Sequence, residues 1–154
     1  MKQLSGTPIN IDELLIGRIT FNNSIFASKS DLVFVVKNGN IPNGFKAVLS
    51  KEDVVNVRNQ KVVKNVQNID ELNEHDIVTI EADGRINVIY EIKSLHNSIF
   101  ITEKCNSNCI MCPQPPVKHE DDKFELNLKL IQLIDKQTKS LGITGGEPTL
   151  IGEK

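Results

Sequence analysis

The sequence predicts an α+β protein in which a β-rich unit, residues 1–96, precedes a strand–loop–helix–strand unit, residues 97–154. Three observations predict it. Two alternating apolar runs flank Asp83-Gly84, a strong short-range signal for a β-hairpin. Short runs rich in β-branched residues recur through the N-terminal portion with no long helical pattern among them. After Ser98 come an apolar strand, a helical periodicity and a second apolar strand, in that order. That is a βαβ unit, hence two parallel strands joined by a right-handed crossover.

The first element, Ile11 to Ile16, is expected to be a short helix, because Asp12 and Glu13 suit a first turn. Arg18–Phe21 and Leu32–Val36 read as strands. Lys37 to Gly44 carries two Asn-Gly pairs and Pro42, which is loop chemistry. Lys46–Leu49, Val54–Val57 and Val62–Val66 are short apolar segments of open type. Ile77–Glu81 and Ile86–Tyr90 form the hairpin, with Asp83-Gly84 suited to a type I′ turn. Ser98–Thr102 is a short strand, and Pro113, Pro115 and Pro116 keep the chain beyond it irregular. Asn127 to Gln137 reads as a helix. Leu126, Leu130, Leu133 and Ile134 share one face, widened by Leu128 and Ile131. Leu141–Thr144 is the closing strand, ending at Gly145-Gly146.

Composition removes several function classes. Hydrophobic residues at 39% and charged residues at 25% suit a globular chain. A net charge of −2 argues against a broad nucleic-acid footprint. Six Phe, one Tyr and no Trp leave little for stacking on single strands. No apolar run is long enough to span a bilayer, and MKQLSGTPIN lacks a signal-peptide core. No membrane association is therefore expected, and the cytoplasm is the expected compartment. Three clustered cysteines, an odd number, argue against a disulfide framework and for metal ligation.

Those cysteines carry the chemistry. Cys105, Cys109 and Cys112 are spaced C-x3-C-x2-C, directly after the strand at Ser98–Thr102. Thiolates suit iron–sulfur clusters, zinc or copper(I). A cubane cluster normally takes four cysteines, so three would leave one iron open. Asn106, Ser107 and Asn108 are turn formers whose amides would bond cluster sulfides. Zinc is the competing reading, with His119 as a fourth ligand. His75 and His96 are isolated, and His119 lies in a charged run, Glu120 to Lys123, which suits a solvated loop. Gly145-Gly146-Glu147-Pro148-Thr149 follows the second strand. Two glycines allow close approach of a ligand to the main chain, Glu147 accepts from an ammonium, and Pro148 stiffens the turn. A plain strand-to-helix turn is the simpler reading of that segment. Both motifs nevertheless lie past the carboxyl ends of parallel strands, where α/β proteins bind ligands.

The cysteine spacing with a following Gly-Gly-Glu-Pro resembles the radical S-adenosylmethionine superfamily. More narrowly, Thr102–Pro116 with Leu141–Leu150 resembles the branch of His-Xaa-Ser system maturases. The resemblance implies that Cys105, Cys109 and Cys112 ligate a [4Fe-4S] cluster whose fourth iron is chelated by S-adenosyl-L-methionine. It implies that Gly145, Gly146 and Glu147 contact the methionyl amino group. Met111 stands where the superfamily usually has an aromatic residue beside the adenine, a soft apolar substitute. Reductive cleavage to a 5′-deoxyadenosyl radical is the implied reaction. The implied partners are a peptide or small protein with His-Xaa-Ser repeats, other proteins of the same maturation system, and an electron donor.

The resemblance also implies a partial (β/α) barrel, of which residues 97–154 would be the first βαβ unit, truncated. A full barrel takes about 250 residues, whereas 57 follow from Ser98 onward. The strand ending at Thr144 is then expected to be an open edge, and the chain alone is expected not to turn over. Residues 1–96 would be an accessory domain, with peptide docking at open strand edges as one role. A non-catalytic zinc or peptide-binding module that retains the cysteine loop is the alternative.

Overall fold

A computed structural model describes residues 2–23, 28–36, 41–54, 57, 59–107, 109–112, 117 and 123–152. The chain divides into two compact units, Met1–Ser94 and Leu95–Lys154. It is a mixed α+β protein, rich in strands, with one α-helix among the described residues.

Unit 1 holds β1 (Gln3–Ser5), β2 (Thr7–Ile9), β3 (Leu15–Thr20), β4 (Leu32–Val36), β5 (Ala47–Ser50), β6 (Val62–Lys64), β7 (Ile77–Ile80) and β8 (Arg85–Tyr90). Their order is β1-β8-β7-β3-β4-β5-β6-β2. β3, β4, β5 and β6 are mutually parallel, while β7, β8 and the two N-terminal strands pair antiparallel. β1 and β2 stand at opposite ends of this order, yet only Gly6 separates them. One extended segment therefore pairs with β8 through Gln3–Ser5 and with β6 through Thr7–Ile9. The strand directions agree around the circuit, so the sheet closes on itself as a barrel, which removes long free edges. At the seam, Gly6 donates to Gly84 O at 3.1 Å and Gln67 donates to Ser5 O at 3.3 Å.

Alternate residues fill the barrel. Leu4, Leu15, Ile19, Val33, Val35, Ala47, Leu49, Val63, Val78, Ile80, Ile86 and Val88 form one buried cluster. Ile11 joins it, as do Ile69 of the short 3-10 turn Ile69–Glu71 and Leu72, which follows that turn. A second cluster, Phe34, Val36, Phe45, Val48 and Val62, covers the outer face of β4–β6. Burial on both faces explains why β4 and β5 read as continuous apolar runs rather than alternating ones. Asp76 is fully buried and serves as a junction. Its Oδ2 accepts from the Asn73 amide at 2.8 Å, and its Oδ1 accepts from the Ile92 amide at 2.9 Å.

Two expectations change here. Ile11 to Ile16 is not helical: Leu15 and Ile16 pair with Ile80 and Thr79 of β7. The closely spaced Ile11, Leu14 and Leu15 mimic a helical stripe, but sheet pairing with two buried faces prevails. The hairpin forms where expected, with a different turn. Gly84 donates to Glu81 O at 3.0 Å, and Glu81 donates to Arg85 O at 2.8 Å. Gly84 has φ 86°, whereas Asp83 is not among the residues of positive φ, so the loop is a type I turn closed by a left-handed glycine. Asn38-Gly39, and Val55 and Asn56 within Val54–Val57, lie outside the described residues.

Unit 2 holds β9 (Ser98–Phe100), α1 (Phe124–Leu133), β10 (Gly142–Thr144) and a 3-10 turn, Pro148–Ile151. β9 and β10 are parallel, with Ile99 opposite Ile143. α1 begins and ends earlier than its apolar stripe suggests, because Ile134 already has extended backbone. Leu130 is buried, and Leu126, Leu133 and Ile134 are half-buried. Leu128 and Ile131 are exposed, and Ile143 of β10 is 69% exposed. Among the described residues, β10 pairs only with β9. No helix of the described residues is long and apolar enough to cross a membrane.

Candidate metal centre

The cysteine loop grows from the end of β9. Ile101 donates to Thr144 O at 2.9 Å, continuing the β9–β10 ladder past the strands themselves. Thr102 is buried, and its Oγ1 accepts from the Lys104 amide at 3.0 Å, which turns the chain out of the strand. The Cys105 amide then donates to Val117 O at 2.9 Å, closing the base of the loop.

Within the loop, the Ser107 amide lies 3.4 Å from Cys105 Sγ, an amide-to-sulfur hydrogen bond. Cys112 donates to Cys109 O at 3.0 Å, so Cys109-Ile110-Met111-Cys112 is a β-turn. Cys105 is half-buried, Cys109 and Cys112 are exposed, and none is in a disulfide. Ile110 and Met111 at the turn's tip are 100% and 93% exposed. The three thiols thus share one loop. Among the described residues, no three His, Cys, Asp or Glu side chains converge closely enough to hold a metal ion. Their donor chemistry fits a soft metal or an iron–sulfur cluster. Such sites are commonly drawn together by the metal itself, since ligand convergence is coupled to binding. His119, Asn108 and Pro113, Pro115 and Pro116 lie outside the described residues.

The glycine-rich turn is bonded to the root of this loop. The Gly146 amide donates to Thr102 O at 2.7 Å, and the Glu147 amide donates to Lys104 O at 2.8 Å. This contact also accounts for both glycines. Gly145 has φ 146°, and a Cβ there would lie 2.5 Å from Thr102 O. A Cβ on Gly146 would collide with the Lys104 carbonyl. The glycines are therefore required by close approach of two backbones, a role that composition did not reveal. Sequence reasoning also missed Thr102 and Lys104, whose carbonyls receive the turn. The signal available was a hydroxyl residue at the end of an apolar strand, which is common and weak.

Glu147 caps the 3-10 turn. Its Oε1 accepts from Thr149 Oγ1 at 2.6 Å and from the Thr149 amide at 3.1 Å. The Thr149 hydroxyl and then its amide hold the carboxyl below its usual pKa of 4.5. Both bonds fall on Oε1, which leaves Oε2 to accept from a ligand. The helix start is tied to the same region: Asn127 Nδ2 donates to Phe100 O at 3.1 Å, and Lys123 Nζ lies 3.5 Å from Glu103 Oε1.

No family model matches this chain, and no curated protein and no solved structure matches it either.

Proposed function

We propose that the chain is of radical S-adenosylmethionine lineage, with Cys105, Cys109 and Cys112 ligating a [4Fe-4S] cluster and Gly145-Gly146-Glu147 receiving the methionyl end of S-adenosyl-L-methionine. The observation that supports this reading is the pair of hydrogen bonds from Gly146 and Glu147 to Thr102 and Lys104. They hold the glycine-rich turn against the root of the cysteine loop, so that thiols and carboxylate belong to one local frame.

When bound, such a cluster together with S-adenosyl-L-methionine would supply one-electron, radical chemistry for hydrogen abstraction. The chain's own residues hold and orient. The three thiolates would ligate iron, and the Ser107 amide already bonds the sulfur of Cys105. Glu147 is ionised at neutral pH, its carboxyl held low by Thr149, and its Oε2 would accept from the methionyl ammonium. Met111 offers an exposed thioether for the adenine. The substrate is a peptide or small protein with His-Xaa-Ser repeats, acted on with other proteins of the same system and an electron donor. Cys109, Cys112 and Met111 stand open to solvent. This chain alone is therefore expected to yield little 5′-deoxyadenosine, because radical chemistry needs an enclosed site.

Anaerobic reconstitution with iron and sulfide tests the ligand set. The expected product carries about four irons per chain and absorbs near ~400 nm, and Cys105→Ala, Cys109→Ala and Cys112→Ala each abolish it. A colourless chain that instead retains one zinc would establish the zinc module.

A further inference from the structure

The cysteine loop holds its three thiols in two different ways. The Cys112 amide donates to Cys109 O at 3.0 Å, so these two residues are the first and last of a hydrogen-bonded β-turn. A β-turn keeps its end Cα atoms under about 7 Å apart, and a disulfide bridges Cα atoms about 4.4–6.8 Å apart. The backbone therefore already brings this pair within the reach of a disulfide. Both thiols are exposed, so a small oxidant reaches either sulfur from solvent. Ile110 and Met111 between them are almost wholly exposed, so adjusting the turn costs no buried contact at its tip.

Cys105 is held at the root. It is half-buried, and its amide is bonded to Val117 O at 2.9 Å. Its Sγ accepts from the Ser107 amide at 3.4 Å and donates to Ser107 O at 3.7 Å. Linking Cys105 to either of the other cysteines would give up the bonds to Ser107. Linking Cys109 to Cys112 gives up none of them, and it closes a ring over only the two residues of the turn's tip, where the entropy of closure is small.

We propose that Cys109 and Cys112 are a redox modification site, a dithiol that a low-molecular-weight disulfide such as oxidised glutathione converts to an intramolecular disulfide while Cys105 stays reduced. One thiolate attacks a sulfur of the small disulfide, a mixed disulfide forms and one small thiol leaves. The second thiolate attacks the chain's sulfur in that mixed disulfide, and the second small thiol leaves. The chain gives up two electrons and two protons, which the small disulfide takes up as two thiols. Ligation needs thiolates, so the oxidised loop keeps one ligand of three and releases its metal. That consequence rests on the ligand set proposed above, whereas the disulfide itself does not.

The test uses the full chain, metal-free and anaerobic, incubated with excess oxidised glutathione, alkylated with N-ethylmaleimide and weighed. A chain lighter by two hydrogens and carrying a single maleimide is expected, with no lasting glutathione adduct. Lys104 and Lys118 flank all three cysteines, so trypsin releases them in one peptide. Its fragmentation is expected to place the maleimide on Cys105 and the link between Cys109 and Cys112. Cys109→Ser and Cys112→Ser alter exposed residues, and each is expected to trap the mixed disulfide on the cysteine that remains. Cys105→Ser is expected to close the link as the unaltered chain does. Zinc, as a thiolate-seeking probe, is expected to bind the reduced chain, not the oxidised one, and to bind again after dithiothreitol. A lasting mixed disulfide on the unaltered chain, a link that includes Cys105, or zinc binding that survives oxidation overturns the proposal. The link is read with no metal present, so its absence leaves the cluster assignment standing. A reduced chain that forms the link on oxidation yet takes up no iron removes the cluster assignment alone.

Discussion

Gly145 and Gly146 decide whether the turn can touch the cysteine loop at all. Their side-chain space is filled by Thr102 and Lys104 carbonyl oxygens, and Gly145 has φ 146°. Gly145→Ala is expected to destabilise unit 2 by about 1–3 kcal/mol, measured by chemical denaturation and by loss of exchange protection at the Gly146 and Glu147 amides. Glu147 makes a second residue-scale prediction. Its folded pKa lies below the usual 4.5 because Thr149 bonds the carboxylate. Its capping contribution is therefore complete above that value and is lost as pH falls through the lower, folded value. Faster exchange of the Thr149 amide is expected in that acidic window and not between pH 5 and 8 (a range bounding ordinary carboxylate titration at about 4–5). Unchanged protection down to full protonation would show that the cap is not electrostatic. The role of these residues was only partly legible. Gly-Gly before Glu was visible as a place of close approach, but the partner, a neighbouring backbone rather than a ligand, depends on a strand more than forty residues away along the chain.

Among elements, the N-terminal segment is the one that composition concealed. Gln3 to Ile9 contains Gly6 and Pro8 and has little β-branched character. It is a strand because two neighbours, β8 and β6, each need a partner. Leu32–Val36, in contrast, was legible to the residue, since five consecutive apolar positions can be satisfied by burial on both faces. The seam makes a specific prediction. Gly84 sits against the Gly6 carbonyl, where any Cβ would collide, and has φ 86°. Gly84→Ala is expected to cost about 1–3 kcal/mol and to release protection at the amides of β1 before those of β4 or β5, checked by hydrogen exchange. Asp76 is the corresponding junction at the other end of β7. Asp76→Ala leaves the Asn73 and Ile92 amides without their acceptor. A loss of about 2–3 kcal/mol follows from two unmet donors, read from the shift of the urea midpoint.

At the scale of the whole molecule, a closed barrel with a filled core contrasts with a βαβ unit in which few apolar residues are buried. Leu130 is the one buried residue of α1, and Phe124, Leu128, Ile131 and Ile143 are exposed. The parallel pairing of β9 with β10 was readable from the change of pattern after Ser98. The barrel closure was not, because it gathers residues from segments far apart in the chain. In the cysteine loop, spacing revealed donor type but not convergence. The most direct measurement is electron paramagnetic resonance of the reconstituted, reduced chain before and after S-adenosyl-L-methionine is added. A reduced [4Fe-4S] signal that changes on addition, and that is absent in Cys109→Ala, is predicted. A cluster signal indifferent to the cofactor, or a chain that binds zinc and no cluster, would contradict it.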